Sequence, residues 1–187
     1  MKNLIVFFIT IVFVSCQTEE KQTIKESAPY FNVVLLGNYY ITYLNALEKD
    51  STNIDELFNK KVKEPMFENY FAKSEYNFYT EGFMAPDTTR LYDAILSLQH
   101  NQKDIENLIS LALIKCNQHL KNDSLTFYIL PTSADAKKGL KQMGGVTGFT
   151  IGRKQILLTI DTEVKTWKEV LAAAVAHEFN HAYWTNM

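Results

Sequence analysis

The sequence predicts an α+β domain, with a helical first part, a small β-sheet containing a hairpin, and a long helix at the end. Three observations carry that prediction. Apolar residues recur at helical spacing through the middle of the chain, with Leu91, Ala94, Ile95 and Leu98 tracing one face and Ile105, Leu108, Ile109, Ala112, Leu113 and Cys116 another. After Asn122-Asp123 the period changes from 3.6 to 2, and residues 124–130 read as a strand stopped by Pro131. The last stretch, Trp167 to Trp184, is apolar at nearly every position from Val170 to Ala176 and reads as a buried helix.

The first residues stand apart from the fold. A weakly basic start is followed by an apolar run from Leu4 to Val14, too short for a permanent bilayer span and matched to the core of a secretory signal. Phe13-Val14-Ser15-Cys16 resembles the lipobox of bacterial lipoproteins, which implies cleavage after residue 15 and lipid attachment at Cys16. An ordinary cleaved signal and an uncleaved anchor are the alternatives. Residues 16–27 are polar and lack aromatics, as expected of a flexible tether, and the remaining residues, 28–187, form the domain. The expected address is a bacterial cell envelope, with the protein held to a membrane through Cys16 on the periplasmic or the outer-membrane surface side. A net charge of −2 without any basic run excludes a nucleic-acid partner. With Cys16 acylated, Cys116 has no partner for an intrachain disulfide and reads as a small buried hydrophobe.

Taken in order, Phe31, Val34, Leu35, Asn38, Tyr39, Thr42 and Leu44 to Leu47 suggest a helix. Ser51-Thr52-Asn53 is a capping cluster ahead of a short helix over residues 54–58, with acids in its first turn, and Pro65 interrupts the helical pattern beyond it. Asp87 is a candidate N-cap for the helix begun by Leu91, and Asn101 with Asp104 begins the next one. His100 and His119 lie near helix ends and read as solvated or dipole-compensating residues. Residues 144–151 and 155–160 form a β-hairpin turning near Gly152. Thr166-Trp167-Lys168-Glu169 is a capping box that opens the last helix.

That helix carries the chemistry. His177-Glu178-Phe179-Asn180-His181 is a His-Glu-x-x-His pattern, which stacks two imidazoles on one helical face within reach of a single zinc ion. Zinc lowers the pKa of bound water to about 7, and Glu178 takes the proton as general base. A substrate peptide can pair with an exposed strand edge beside the metal, and residues 155–160 are the candidate edge, with Gln155, Leu157 and Thr159 as candidate substrate-binding positions; a plain structural strand is the alternative. An extended motif with glycine at 184 and histidine at 187 is excluded, since those positions hold Trp184 and Met187.

Gly145-Val-Thr-Gly148-Phe-Thr, the run Ile156-Leu-Leu-Thr-Ile160-Asp161, then Trp167, Leu171 and Ala176-His177-Glu178-Phe-Asn-His181-Ala182 resemble the predicted zinc-dependent protease family of bacterial lipoproteins and cell-envelope proteins. The resemblance spans about residues 124–187. It implies a zincin-like fold, Zn2+ held by His177 and His181, Glu178 as the catalytic residue, and a peptide or protein as substrate. It also implies a third ligand, a glutamate on a helix downstream of the motif. The sequence as read ends at Met187 without one, so the expectation is a domain incomplete at its C-terminus or a truncated relative. The rival expectation is a non-catalytic envelope lipoprotein of the gliding-motility type, which keeps the scaffold for binding or assembly.

Overall fold

Residues 127–130, Phe-Tyr-Ile-Leu, are apolar without alternation because the strand that holds them is covered on both faces. In the computed structural model, which describes residues 30–72, 74, 80, 83–121 and 124–184, this strand is second in a four-stranded sheet. Phe127 and Ile129 point into one core with Leu125, while Tyr128 points into the other. Near-continuous apolar strands are what a mostly parallel sheet with helices on both sides requires.

The elements run β1 (Tyr30–Leu35), α1 (Gly37–Leu47), α2, α3 (Leu91–His100), α4 (Gln102–Asn117), β2 (Ser124–Pro131), α5 (Lys137–Gln142), β3 (Val146–Gly152), β4 (Gln155–Ile160) and α6 (Trp167–Trp184). Here α2 is one uninterrupted helical stretch, Ile54–Phe58, Asn59–Lys63, Glu64–Met66 and Phe67–Phe71. The architecture is mixed α+β, as expected. The sheet order is β1-β2-β4-β3, with β1, β2 and β4 parallel and β3 antiparallel to β4. Helices α4 and α6 pack on one face, and α1, α2 and the first half of α3 on the other.

Several local expectations change. The chain from Tyr30 to Leu35 is a strand and not the start of a helix, because its N–H and C=O groups pair in register with residues 124–129 of β2. Pro65 does not break α2. It sits between two wide turns, Asn59–Lys63 and Phe67–Phe71, whose looser hydrogen bonding absorbs a residue with no N–H to give. The Asn53 side chain caps α2 as expected, accepting from the Glu56 N–H at 3.3 Å. Asp87 instead accepts from the Thr89 N–H at 2.8 Å in a local turn, and α3 starts after Arg90 at φ 61°. Cys116 is half-buried beside the α4–α6 core, and burial pushes its thiol pKa up. The expected signal, Cys16 and the tether lie outside the described residues.

Helix α6 packs along β3, β4 and α4, and its sequence shows why. Trp167, Leu171, Val175, Phe179 and Ala182 fall on one stripe and are all buried. Each large side chain so placed contributes about 1.5–3 kcal/mol of hydrophobic stabilisation. The helix starts from a tight corner. Gly145, at φ 93°, donates to Leu140 O at 2.8 Å and accepts from the Asp161 N–H at 2.7 Å. A Cβ there would lie 2.8 Å from Val164 Cβ and 2.9 Å from Asp161 O, so only glycine fits. The Thr166 hydroxyl donates to Gly144 O at 3.3 Å, and the Glu169 N–H goes to the Thr166 carbonyl at 3.1 Å, a different use of Thr166 from the expected capping box.

An ion pair joins the first turns of α4 and α6, with Lys168 Nζ 2.5 Å from Asp104 Oδ2. The Lys168 hydrogen bond, with its charge, holds the Asp104 carboxyl below the usual carboxylate range. A carboxyl depressed in the folded state stabilises the fold above its unfolded pKa, and that contribution is lost as pH falls through the folded value. In Lys168→Met the Asp104 titration, followed by carboxylate 13C resonances, should therefore move up toward the ordinary range. The pair is solvent-exposed, so melting at neutral pH should barely change. A carboxyl whose titration does not move on removing Lys168 would contradict the pairing.

Candidate metal centre

The motif residues fall on the second half of α6, where the helix crosses the edge strand β3. The stripe that buries Val175, Phe179 and Ala182 also carries Glu178, only 5% exposed. His177 and His181 lie on the neighbouring, open side of the helix. This departs from a helix buried all round. The apolar surplus in residues 170–176 comes largely from Ala172, Ala173, Ala174 and Ala176, strong helix formers that lie half-buried or exposed. The histidines are exposed, so burial does not by itself call for a metal partner. The buried polar group of the motif is the glutamate.

Its surroundings are built to hold it. The Thr150 hydroxyl, on β3, lies 2.9 Å from the Glu178 backbone oxygen and 3.0 Å from its Oε2, and donates across that pair. Two residues earlier on the same strand face is Gly148, where a Cβ would sit 3.4 Å from Glu178 Cγ, 3.1 Å from Leu157 O and 2.4 Å from Leu158 Cδ2. Glycine at 148 lets the helix lie against the strand, and threonine at 150 supplies the bond. Sequence reading did not single out Thr150. Its signal was the two-residue spacing from Gly148, which places both on one face of a strand leading to the motif helix.

On the open side the two imidazoles converge. His177 Nε2 and His181 Nε2 are 3.1 Å apart, with ring centroids at 4.7 Å and planes crossed at 73°. Two nitrogens bound tetrahedrally to one zinc at 2.0–2.1 Å are separated by about 3.3 Å, so this separation, which here is that of a hydrogen bond between the rings, is close to what one zinc ion requires. Glu178 Oε1 lies 4.0 Å from His177 Nε2 and completes the cluster. Among the described residues no group of three or more His, Cys, Asp or Glu side chains could hold a metal, so this pair of imidazoles has no third ligand beside it within the described part.

The sheet corrects one expected substrate contact. Strand β4, residues 155–160, pairs with β2 on one side and β3 on the other and has no free edge. Gln155 donates to Tyr70 O at 3.1 Å and to the Tyr128 hydroxyl at 3.2 Å, Leu157 is buried, and Thr159 lies opposite Leu130 and Thr147. Gln155, Leu157 and Thr159 therefore cannot receive a peptide by backbone pairing. The edge next to the motif is β3, with Phe149 45% exposed on its outer face. No family model, curated protein or solved structure matches this chain.

If Gly148 sets the distance between β3 and α6, Gly148→Ala must push the helix outward or force Leu158 from its position. The expected loss is about 1–3 kcal/mol of unfolding free energy, measured by urea denaturation. Unchanged stability would show that the contact at 148 is not limiting.

Proposed function

We propose that the protein is a zinc-dependent metallopeptidase, tethered to a bacterial membrane through lipidated Cys16, that cleaves peptide bonds in a peptide or protein. The observation that carries this reading is the convergence of His177 and His181 at 3.1 Å beside a buried, oriented Glu178. A zincin-like arrangement, with the third ligand supplied from outside the described residues, is part of the proposal. So is the lipid anchor, which rests on residues 13–16; among the described residues no helix is long and apolar enough to cross a membrane.

Zinc, when bound, supplies a Lewis acid that polarises the scissile carbonyl and acidifies water. The chain's own residues do the rest. His177 and His181 would hold the ion as neutral imidazoles through Nε2. Glu178 takes a proton from the attacking water on Oε1, the oxygen nearest His177 Nε2, while Oε2 stays with Thr150. As the water oxygen bonds to the carbonyl carbon and the C–N bond breaks, the same carboxyl returns the proton to the leaving nitrogen. An extended substrate lies along β3, the outer strand of the described sheet on the motif side, which sets its backbone across the histidines.

A scaffold without chemistry is the second reading, favoured by the two-ligand count among the described residues. The two separate cleanly. The full chain should carry one zinc per molecule by mass spectrometric metal analysis and cleave unstructured protein substrates. His177→Ala should lose the zinc. Glu178→Gln should keep it and lose roughly 100- to 10,000-fold in turnover. A wild-type protein that takes up no zinc, and whose melting ignores chelator, would overturn the metal reading. Zinc uptake without turnover would favour the scaffold.

A further inference from the structure

The Thr150 hydroxyl has one proton and two acceptors, the backbone oxygen and Oε2 of the same glutamate, at 2.9 and 3.0 Å. A hydroxyl serving only to join strand and helix could bond the carbonyl alone. This one also fixes the carboxylate, whose side chain is 7% exposed and is pressed against a strand position, Gly148, that has no side chain. A carboxylate with a free second oxygen could rotate about its last torsion, which is soft. Bonding Oε2 removes that rotation and leaves Oε1 on the side of His177, 4.0 Å from Nε2.

We propose that Thr150 is a positioning residue for the general base: its hydroxyl holds Glu178 Oε2 so that Oε1 faces the metal and the attacking water. Thr150 acts through Glu178, the residue its hydroxyl bonds. The proposal rests on the zinc-hydrolase reading of the same site. Partners one step removed from a metal centre, of this kind, typically change activity by 10- to 100-fold when removed.

The test uses the full chain with Thr150→Val, which keeps the side-chain shape, Thr150→Ser, which restores the hydroxyl, and Thr150→Ala as a second deletion if the valine variant misfolds. The expected result is that Thr150→Val or Thr150→Ala loses roughly 10- to 100-fold in kcat with KM and zinc affinity unchanged, and Thr150→Ser recovers most of it. In the metal-free protein the Glu178 carboxylate 13C resonance should shift in the valine variant and return in the serine variant. Equal kcat in wild type and Thr150→Val would overturn the proposal, as would a loss that serine does not recover. If the wild type itself binds zinc but hydrolyses nothing, the peptidase reading fails. The carbon resonance then decides whether Thr150 still orients Glu178, and an unmoved resonance sinks the positioning role independently.

Discussion

An ionised carboxylate placed between a helix and a sheet costs several kcal/mol unless hydrogen bonds replace the water it gives up. The bond from Thr150 to Glu178 offsets that cost at the seam between β3 and α6. The rest of the site depends on it. If the carboxylate left the seam, the polar contact between helix and edge strand would shrink to the Thr150 bond with the Glu178 backbone oxygen, at the point where Gly148 lets the two backbones come close. The orientation of α6 about its own axis would then rest mainly on the stripe of Trp167, Leu171, Val175, Phe179 and Ala182, which fixes which face is buried but less tightly how the neighbouring face is turned.

That turn is what gives the histidines their geometry. On a helix, residues four apart lie one above the other, and the buried stripe and Glu178 together leave His177 and His181 facing outward beside the edge strand. Exposure suits the chemistry proposed. Neutral imidazoles that are accessible can exchange protons and bind a cation that has not first been forced into a dry interior. The corner at Gly145 and Asp161 starts the helix at a fixed point at the end of β4, so the same sheet that builds the core also delivers the motif to its edge.

Much of this was legible in the residues. The hairpin turning after Gly152, the apolar face of α4 and the start of α6 at Trp167 come from periodicity and turn chemistry, because each is decided by neighbours close in sequence. The strand β1 was not legible. Val33 to Leu36 is a continuous apolar run, and a strand partly covered on both sides has no alternation to separate it from a helix. Strand order is set by pairings distant in sequence, which is why β4 read as an edge although β3 holds that place. The His-Glu-x-x-His pattern was visible, but which of its members is buried was not, since a stretch of alanines looks apolar whether it faces the core or the solvent. Thr150 went unseen because a single threonine in a strand is ordinary until the helix carboxylate opposite it is known.

The central claim is that α6 presents two imidazole nitrogens and one oriented carboxylate to a single ion. Anomalous scattering at the zinc edge from crystals of the full chain grown with zinc measures this directly. The account predicts one zinc within 2.0–2.1 Å of both His177 Nε2 and His181 Nε2, with Glu178 still bonded to Thr150. Zinc bound elsewhere on the chain, or held by one histidine with the other turned away, would contradict it.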